Sequence, residues 1–297
     1  GKLQDAELSY RKAIEIKPVY ADAHSNLGVL LIDLGKLQEA KVSIRKAIEI
    51  NPVYAEAHIV LSIYYYLIGN LDLALNSIFK AYSLDPKDMN NQILLNIFKG
   101  ASSSIERDQQ TNYKISRLQE KSLDSNPLIS NRPVEKKLIE TLYKIKARDQ
   151  EKHQGPTYGN AIGSNYELFD RNELMIKTIK DDLINISMRA VKSNIFIVAS
   201  FFTIFRSGGG LVSHHHLNKL DNIKGLNIAS KKFSLVYYLS VGDQNCDEPG
   251  VLKLENPNQD ILPSDGLIII FPAERKHSVF YKGQKDRIII GINFYRI

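Results

Sequence analysis

Cysteine is almost absent from this sequence, since Cys246 is the single one among 297 residues. One cysteine excludes an internal disulfide framework and fits a reducing compartment. Long apolar runs are also missing, because none reaches the roughly 18 residues that a membrane-spanning helix needs. The first residues lack the charged and then apolar pattern of a secretion signal. We therefore expect a cytoplasmic protein without a membrane segment.

A strong excess of one charge is missing as well. The chain has 39 Lys and Arg against 33 Asp and Glu, and the basic residues are spread along its whole length. Such a small and dispersed surplus does not favour nucleic-acid binding, so we expect no nucleic-acid partner. The length is sufficient for two domains with their own cores.

What the sequence does contain is a repeat of 34 residues, visible where "GKLQDAELSYRKAIEIKPVYADAH" from Gly1 recurs as "GKLQEAKVSIRKAIEINPVYAEAH" from Gly35. A third copy, "GNLDLALNSIFKAYSLDPKD", starts at Gly69. The alanines and prolines keep the period: Ala6, Ala40 and Ala74; Ala13, Ala47 and Ala81; Pro18, Pro52 and Pro86. Glycine ends a helix, alanine lets paired helices approach, and proline opens the next unit. A fixed period of this length predicts a solenoid of helix pairs.

The repeat resembles the tetratricopeptide repeat family. Its small-residue position is Gly28, and its helix-pair contacts are Leu27, Leu31, Ile44 and His58. The resemblance implies an array over residues 1–100, ending in a capping helix, whose concave face holds a protein or peptide partner. A spacer or a self-association surface is the alternative role. Because the chain opens at the second helix of a unit, we expect further repeats upstream.

Residues 101–132 are rich in Ser, Asn and charge and are predicted to be a linker, which leaves 133–297 as a second domain. Helical periodicity covers about 134–150 and 171–191, with a short strand expected at 166–169. Seven further strands are predicted at 195–205, 210–216, 233–241, 250–255, 266–271, 277–281 and 287–295. The second domain is thus expected to be α+β, with a sandwich or barrel core and helices on one outer face.

The triplet His214-His215-His216 is the first candidate for chemistry in this domain. On a strand, His214 and His216 point to one face and His215 to the other. A third histidine, His277, opens a distant strand, and two ligands from one strand with a third from another can hold one metal ion with open positions. Without that context, adjacent histidines are more often surface residues.

The blocks "GGGLVSHHH", "SLVYYLSVGDQNCDEPGVLKLENP" and "LPSDGLIIIFPAERKHSVFYKGQKDRIIIGINF" resemble the iron(II)- and 2-oxoglutarate-dependent dioxygenases. That resemblance implies a double-stranded β-helix, a jelly-roll or cupin-like core, which uses Fe(II), 2-oxoglutarate and dioxygen. Carried over, His214 and His277 become metal ligands, and Arg287 grips the far carboxylate of 2-oxoglutarate through its guanidinium fork. One of Tyr237 and Tyr238 should face the core, and Tyr238 is the candidate contact of the co-substrate, with core packing as the alternative.

This chain departs from the family pattern at the third ligand, because His216 stands where Asp or Glu is expected. Imidazole suits iron, but the exchange removes a negative charge from the site. Second choices for an acidic ligand are Asp221, Asp247 and Glu248. A shifted register would instead pair His216 with Asn218.

The functional prediction is therefore a 2-oxoglutarate-dependent oxygenase that uses its repeats to recruit a substrate or partner. A catalytically inactive β domain beside a repeat scaffold is the alternative. A cupin-type metal enzyme without 2-oxoglutarate is less favoured because it leaves Arg287 without a role. The sequence does not identify the prime substrate.

Overall fold

The computed structural model describes residues 2–110, 126–145, 148–149 and 157–297. The chain divides into two compact units. Unit 1 comprises Gly1–Arg117, Lys219–Ile228 and Ile297, and unit 2 comprises Leu118–Asn218 and Ala229–Arg296. Within the described residues, no helix combines the length and the apolar content needed to cross a membrane.

Unit 1 contains six consecutive α-helices that pack as antiparallel neighbours. They are α1 (Lys2–Ile16), α2 (Ala21–Asp33), α3 (Leu37–Ile50), α4 (Ala55–Leu67), α5 (Leu71–Leu84) and α6 (Met89–Gln110). The helix-pair solenoid predicted from the 34-residue period is confirmed. The last helix continues to Gln110, beyond residue 100, where we placed the end of the array.

The repeating glycines end their helices through the same hydrogen bonds. Gly35 and Gly69 adopt φ angles of +75° and +78°, which favour glycine. After α2, the amides of Gly35 and Lys36 donate to carbonyls of the last helical turn at 2.9 and 2.8 Å. The equivalent amides of Gly69 and Asn70 do so after α4 at 3.0 and 2.9 Å. These bonds satisfy the free carbonyls at each helix end and turn the chain into the next helix.

Small residues set the spacing between the helices. Ala40, Ala47, Ala74 and Ala81 are completely buried. A Cβ added at Gly28 would lie 2.6 Å from Cγ1 of Ile44, so α2 and α3 approach more closely than a side chain there would allow. The 34-residue period of the sequence thus reflects close contacts between helices that recur once in each repeat.

The described part of unit 2 combines two α-helices with two antiparallel sheets. The helices are α7 (Lys136–Lys144) and α8 (Leu174–Val191). The seven-stranded sheet has the order β1 (Leu128–Asn131), β10 (Leu267–Pro272), β7 (Lys232–Ser240), β12 (Arg287–Arg296), β5 (Ile195–Phe205), β4 (Ala161–Gly163) and β2 (Arg148–Asp149). The five-stranded sheet has the order β3 (Thr157–Tyr158), β6 (Gly209–His214), β11 (His277–Tyr281), β8 (Leu252–Leu254) and β9 (Gln259–Ile261). Helices followed by this two-sheet core confirm the predicted fold class.

The larger sheet is covered on both faces. One face packs against α7 and α8 through a cluster that includes Leu142, Leu183 and Ile290. The other face carries a second cluster, which includes Phe271 and Ile289. Strand β12 is buried along nearly its whole length because it lies between two central neighbours, β7 and β5. Two covered faces explain why its sequence, "IIIGINFY", is apolar apart from Asn293.

Three local predictions differ from the structure. The strand expected at 166–169 is wrong, since Leu168–Asp170 form a turn of 3-10 helix with only an isolated bridge from Glu167 to Ser200. Strand β6 ends at His214 rather than at residue 216, because the chain leaves β11 there and the amide of His216 donates to the carbonyl of Ala273 at 2.9 Å.

The third difference lies in short strands that periodicity did not reveal. Part of the predicted linker, Leu128–Asn131, forms β1 and pairs with β10, while residues 111–125 lie outside the described residues. Strands β2, β3, β4 and β9 were not predicted either, and α7 ends at Lys144 although helical periodicity extended to about residue 150. Each of these strands has only two to four residues, too few for alternation to be recognised.

A buried arginine joins β1 to the helical layer. The Arg132 side chain is 8% exposed and donates to both Glu135 carboxylate oxygens at 2.6 Å. Its Nε donates to Asp182 of α8 at 2.9 Å, and its Nη1 donates to the Tyr237 hydroxyl at 3.2 Å. One guanidinium thus connects β1, α7, α8 and β7.

Replacing Arg132 by Met should destabilise unit 2 by about 2–3 kcal/mol, because several buried hydrogen bonds lose their donor. The loss does not exceed this range because Glu135 and Asp182 are 41% and 44% exposed, so water solvates their carboxylates once the arginine is gone. Arg171→Met is the matched control, since the Arg171–Glu173 pair is exposed and its loss should change stability by about 0.5 kcal/mol or less. Urea unfolding of the full chain, followed by near-ultraviolet circular dichroism, measures both, and equal effects would contradict the assigned role of Arg132.

Candidate metal centre

A cavity of about 470 Å³ opens within unit 2. Its walls are mostly apolar, as with Phe201, Leu235 and Ile289, and they come from β5, β6, β7, β11 and β12. Its polar lining includes His214, His216, His277, Arg287 and Asn293. None of the described residues that line it is Asp or Glu.

The three histidines predicted as ligands come together in this cavity. His214 and His277 are directly paired residues of β6 and β11, and their ring centroids are 4.2 Å apart. The His216 ring lies 4.9 Å from that of His214 and 5.0 Å from that of His277. One ligand nitrogen from each ring lies within 4.8 Å of the other two. Small ring rotations would let a single ion contact all three.

Two of the three rings have a defined tautomer. Nδ1 of His214 lies 2.8 Å from the carbonyl oxygen of Val212, and Nδ1 of His277 lies 3.4 Å from that of Arg275. Because a carbonyl oxygen can only accept, Nδ1 carries the proton in each ring. The Nε2 lone pair of both histidines is therefore available for a metal.

Burial keeps these imidazoles neutral. Loss of solvent lowers the pKa of His216 to about 2 and that of His277 to about 3, with the neighbouring histidines adding repulsion in the same direction. Burial also lowers the pKa of His214. Metal ions bind the unprotonated nitrogen, so at neutral pH the site needs no proton release from these rings before binding.

Arg287 lies in the same cavity with an unsatisfied guanidinium. It is 1% exposed, and its Nε and Nη1 have no hydrogen-bond partner among the described residues. Burial lowers its pKa, although the guanidinium remains a cation. A buried cation with free donors is unfavourable unless an anion reaches it, so this end of the cavity fits a carboxylate.

Aromatic rings and a glycine hold Arg287 in place. Its Cζ lies 5.1 Å from the ring centroid of Tyr238 and 5.9 Å from that of Tyr281. A Cβ at Gly250 would collide with Nη1 in its present position, and the φ of +81° there also favours glycine, so Gly250 leaves room for the guanidinium. Tyr238 lines the cavity, whereas Tyr237 lies on the other face of β7 and binds Arg132. Parity along β7 thus separates the two tyrosines.

The remaining candidates stay outside this group. His215 is exposed and lies at the edge of the cavity, outside the cluster of possible ligands. Among the described residues, the cluster of possible metal ligands consists of His214, His216 and His277, without Asp221, Asp247 or Glu248. No acid therefore takes the place of the carboxylate that the family pattern would have at His216.

Sequence reasoning missed the polar residue beside His216. Asn293 lines the cavity, and its Nδ2 lies 3.4 Å from Nδ1 of His216. The signal was present, because residues 287, 289, 291 and 293 share one face of β12 and Asn293 is the one polar residue between Ile288 and Tyr295.

Comparison with known proteins separates the two units. A family model described as "Tetratricopeptide repeat" matches residues 21–54, and one described as "TPR repeat" matches residues 1–35. Residues 1–54 are tetratricopeptide repeats. The array of which they form part is thus shown by sequence as well as by its helices.

Similar solved structures exist for each part of the chain. One is the first tetratricopeptide domain of Spaghetti (RPAP3) bound to the HSP90 peptide SRMEEVD, with 19% identity, a TM-score of 0.33, and coverage of 35% of this chain and 82% of that one. Another is an oxidoreductase of the 2OG-Fe(II) oxygenase family from Burkholderia pseudomallei, with 13% identity, a TM-score of 0.39, and coverage of 54% of this chain and 77% of that one. No curated protein matches the sequence.

The metal-free protein should lose stability as the pH falls below about 6.5, where an exposed histidine gains its proton. His216 and His277 have folded-state pKa values of about 2 and about 3, so below pH 6.5 the unfolded state binds more protons than the folded state. The stability that these neutral rings provide is complete above pH 6.5 and declines by up to about 1.4 kcal/mol per pH unit for each ring below it.

Urea unfolding at several pH values, with a chelator present, measures this slope. Replacing both His216 and His277 by Gln should flatten it between pH 6 and 5, whereas His215→Gln should retain it because His215 is exposed. An unchanged slope in the double variant would contradict the neutral, buried state of these rings.

Proposed function

We propose that the protein is an iron(II)- and 2-oxoglutarate-dependent dioxygenase, and that its tetratricopeptide array recruits a protein or peptide. The observation that carries this proposal is one cavity that contains both a cluster of three neutral imidazoles and a buried guanidinium with unused donors. The first fits a divalent metal ion, and the second fits an anion.

Different residues of the cavity fit iron(II) and 2-oxoglutarate. His214, His216 and His277 would hold the ion through one nitrogen each, which leaves positions open for the co-substrate and dioxygen. Arg287 would donate from Nε and Nη1 to the distal carboxylate of 2-oxoglutarate. The co-substrate would thereby supply the negative charge that the side chains of this cavity lack.

Iron(II), when bound, would supply the activation of dioxygen that couples conversion of 2-oxoglutarate to succinate and carbon dioxide with oxidation of a C–H bond. The chain's own contribution is positioning and exclusion of water. Arg287 fixes one end of the co-substrate, and Tyr238, fully buried beside it, covers the guanidinium with its ring. Apolar walls such as Phe201, Phe205 and Val279 keep the reacting groups dry.

The tetratricopeptide array would bind an extended peptide or protein segment on its concave face, as such arrays do. Two roles for that partner are compatible with the fold. It would be either the substrate itself or a protein that brings the oxygenase to its substrate.

Purified full chain, loaded anaerobically with iron(II) and then exposed to oxygen, should form succinate from 2-oxoglutarate even without a prime substrate. His277→Ala should reduce this turnover at least about 100-fold, because one of three ligands is lost. Arg287→Lys should raise KM for 2-oxoglutarate about 10-fold or more with a smaller effect on kcat, because an ammonium replaces a two-pronged donor.

Arg189→Ala is the matched control for loss of an arginine, since Arg189 lies exposed on α8 and should leave turnover unchanged. Absence of iron binding by the wild-type chain, or equal turnover in the wild-type and His277→Ala proteins, would contradict an oxygenase. Either result would favour a catalytically inactive β domain beside an interaction array. The replacement of the acidic ligand by His216 would then account for the inactivity.

A further inference from the structure

Asn293 occupies an unusual position on the central strand. The run from Ile288 to Tyr295 is apolar apart from this residue, which is 9% exposed and lines the cavity. It shares the inward face of β12 with Arg287, and a register shift follows it at Phe294. A buried amide in such a strand is retained only where its hydrogen bonds are satisfied.

Both ends of the Asn293 amide have partners. The Ser234 hydroxyl on neighbouring β7 donates to its Oδ1 at 2.8 Å. Its Nδ2 lies 3.4 Å from Nδ1 of His216. Ser234 and Asn293 are directly paired across the sheet, so the chain Ser234–Asn293–His216 starts from a rigid pair of strands.

His216 depends on such a contact more than the other two imidazoles do. Rings His214 and His277 are held by adjacent backbone carbonyls, which accept from Nδ1 and fix Nε2 as the metal-binding atom. His216 lies beyond the end of β6, and its Nδ1 faces a side-chain amide instead. An amide can donate through nitrogen or accept through oxygen, so it can accommodate either tautomer of the ring.

We infer that Asn293, held by Ser234, is the positioning residue that makes His216 the third metal ligand. This inference rests on the proposed metal site. With Nδ2 toward His216, Nδ1 accepts and the ring proton stays on Nε2, where it blocks coordination. Turning the amide by about 180° places Oδ1 against an Nδ1 proton, frees the Nε2 lone pair, and lets Nδ2 donate to the Ser234 hydroxyl. The same two side chains satisfy the metal-free and the metal-bound ring.

In this arrangement Asn293 keeps the third ligand, His216, in its metal-binding form. A carboxylate in that place would need no such partner. An acidic ligand binds a metal in one ionised form, whereas a histidine binds only in the correct tautomer. Outer hydrogen bonds of this kind typically change metal affinity 10- to 100-fold. Asn293 is therefore expected to affect metal binding through His216 without touching the ion.

The experiment is anaerobic titration of the full chain with Co(II), whose visible absorption reports the number and type of its ligands. Asn293→Leu, which keeps the shape and removes both hydrogen bonds, should weaken Co(II) binding 10- to 100-fold and change the spectrum toward fewer nitrogen ligands. Asn293→Asp should restore wild-type affinity or exceed it, because a carboxylate accepts from Nδ1 and favours the metal-binding tautomer. A purely structural role for Asn293 predicts no such rescue.

Two further variants keep the result interpretable. Ser234→Ala frees the amide from its partner and should weaken Co(II) binding less than Asn293→Leu does, which tests the same connection if Asn293→Leu does not fold. Ser200→Ala removes another buried hydroxyl of the larger sheet, one that accepts from the amide of Phe169 and does not line the cavity, and it should leave Co(II) affinity unchanged. If the wild-type chain binds Co(II) and both the Asn293→Leu and the Ser234→Ala proteins bind it with the same affinity as wild type, this inference is overturned but the proposed metal site is not. Failure of the wild-type chain to bind Co(II) would overturn the proposed metal site, and this inference with it.

Discussion

Burial of nitrogen-rich side chains without a matching acid is the constraint on which the rest of this structure depends. Three imidazoles and a guanidinium share one cavity, and no described lining residue carries a carboxylate. Desolvation resolves the conflict for the imidazoles by lowering their pKa values, so that they remain neutral. It cannot do so for Arg287, whose charge persists. The proposed function therefore assigns both a cation and an anion to this cavity.

The sheet architecture makes this constraint possible. Strand β12 is covered on both faces, and its inward residues carry Arg287 at one end of the cavity and Asn293 six residues further along. The outward residues of the same strand pack against the helical layer that Arg132 connects to the sheet. Precision at the site therefore comes from a strand that cannot shift without disturbing two cores.

Much of the fold was predictable from local patterns. The 34-residue period predicts the helix pairs because Gly35 and Gly69 end helices through the same bonds and the alanines pack at the same depth. The strands from β5 to β12 were predicted within a few residues, apart from β9, because turn residues separate long apolar runs. Strand β1 was missed because its pairing depends on a distant partner, with Leu128 opposite Ile270, which no local pattern reveals. Strand β9 pairs with neighbouring β8 and was missed because three residues are too few for alternation to be recognised.

Most residues of the candidate site could be predicted from the sequence, but their arrangement in space could not. Alternation along β7 places Tyr237 and Tyr238 on opposite faces of the sheet. The register of β7 with β12 decides which of the two faces the cavity. His216 joins the other imidazoles although it lies past the end of its strand, held by a backbone bond to Ala273. Asn293 stands out in the sequence as the one polar residue of an apolar strand, but its partner His216 lies 77 positions away, and no local pattern links the two.

The most direct test of the central claim is a crystal structure of the full chain grown without oxygen in the presence of Mn(II) and 2-oxoglutarate, with the metal located by its anomalous scattering. We expect one peak bonded to Nε2 of His214, His216 and His277, with the far carboxylate of 2-oxoglutarate on the Arg287 guanidinium. A peak completed by an acidic side chain, or a co-substrate that does not reach Arg287, would contradict it.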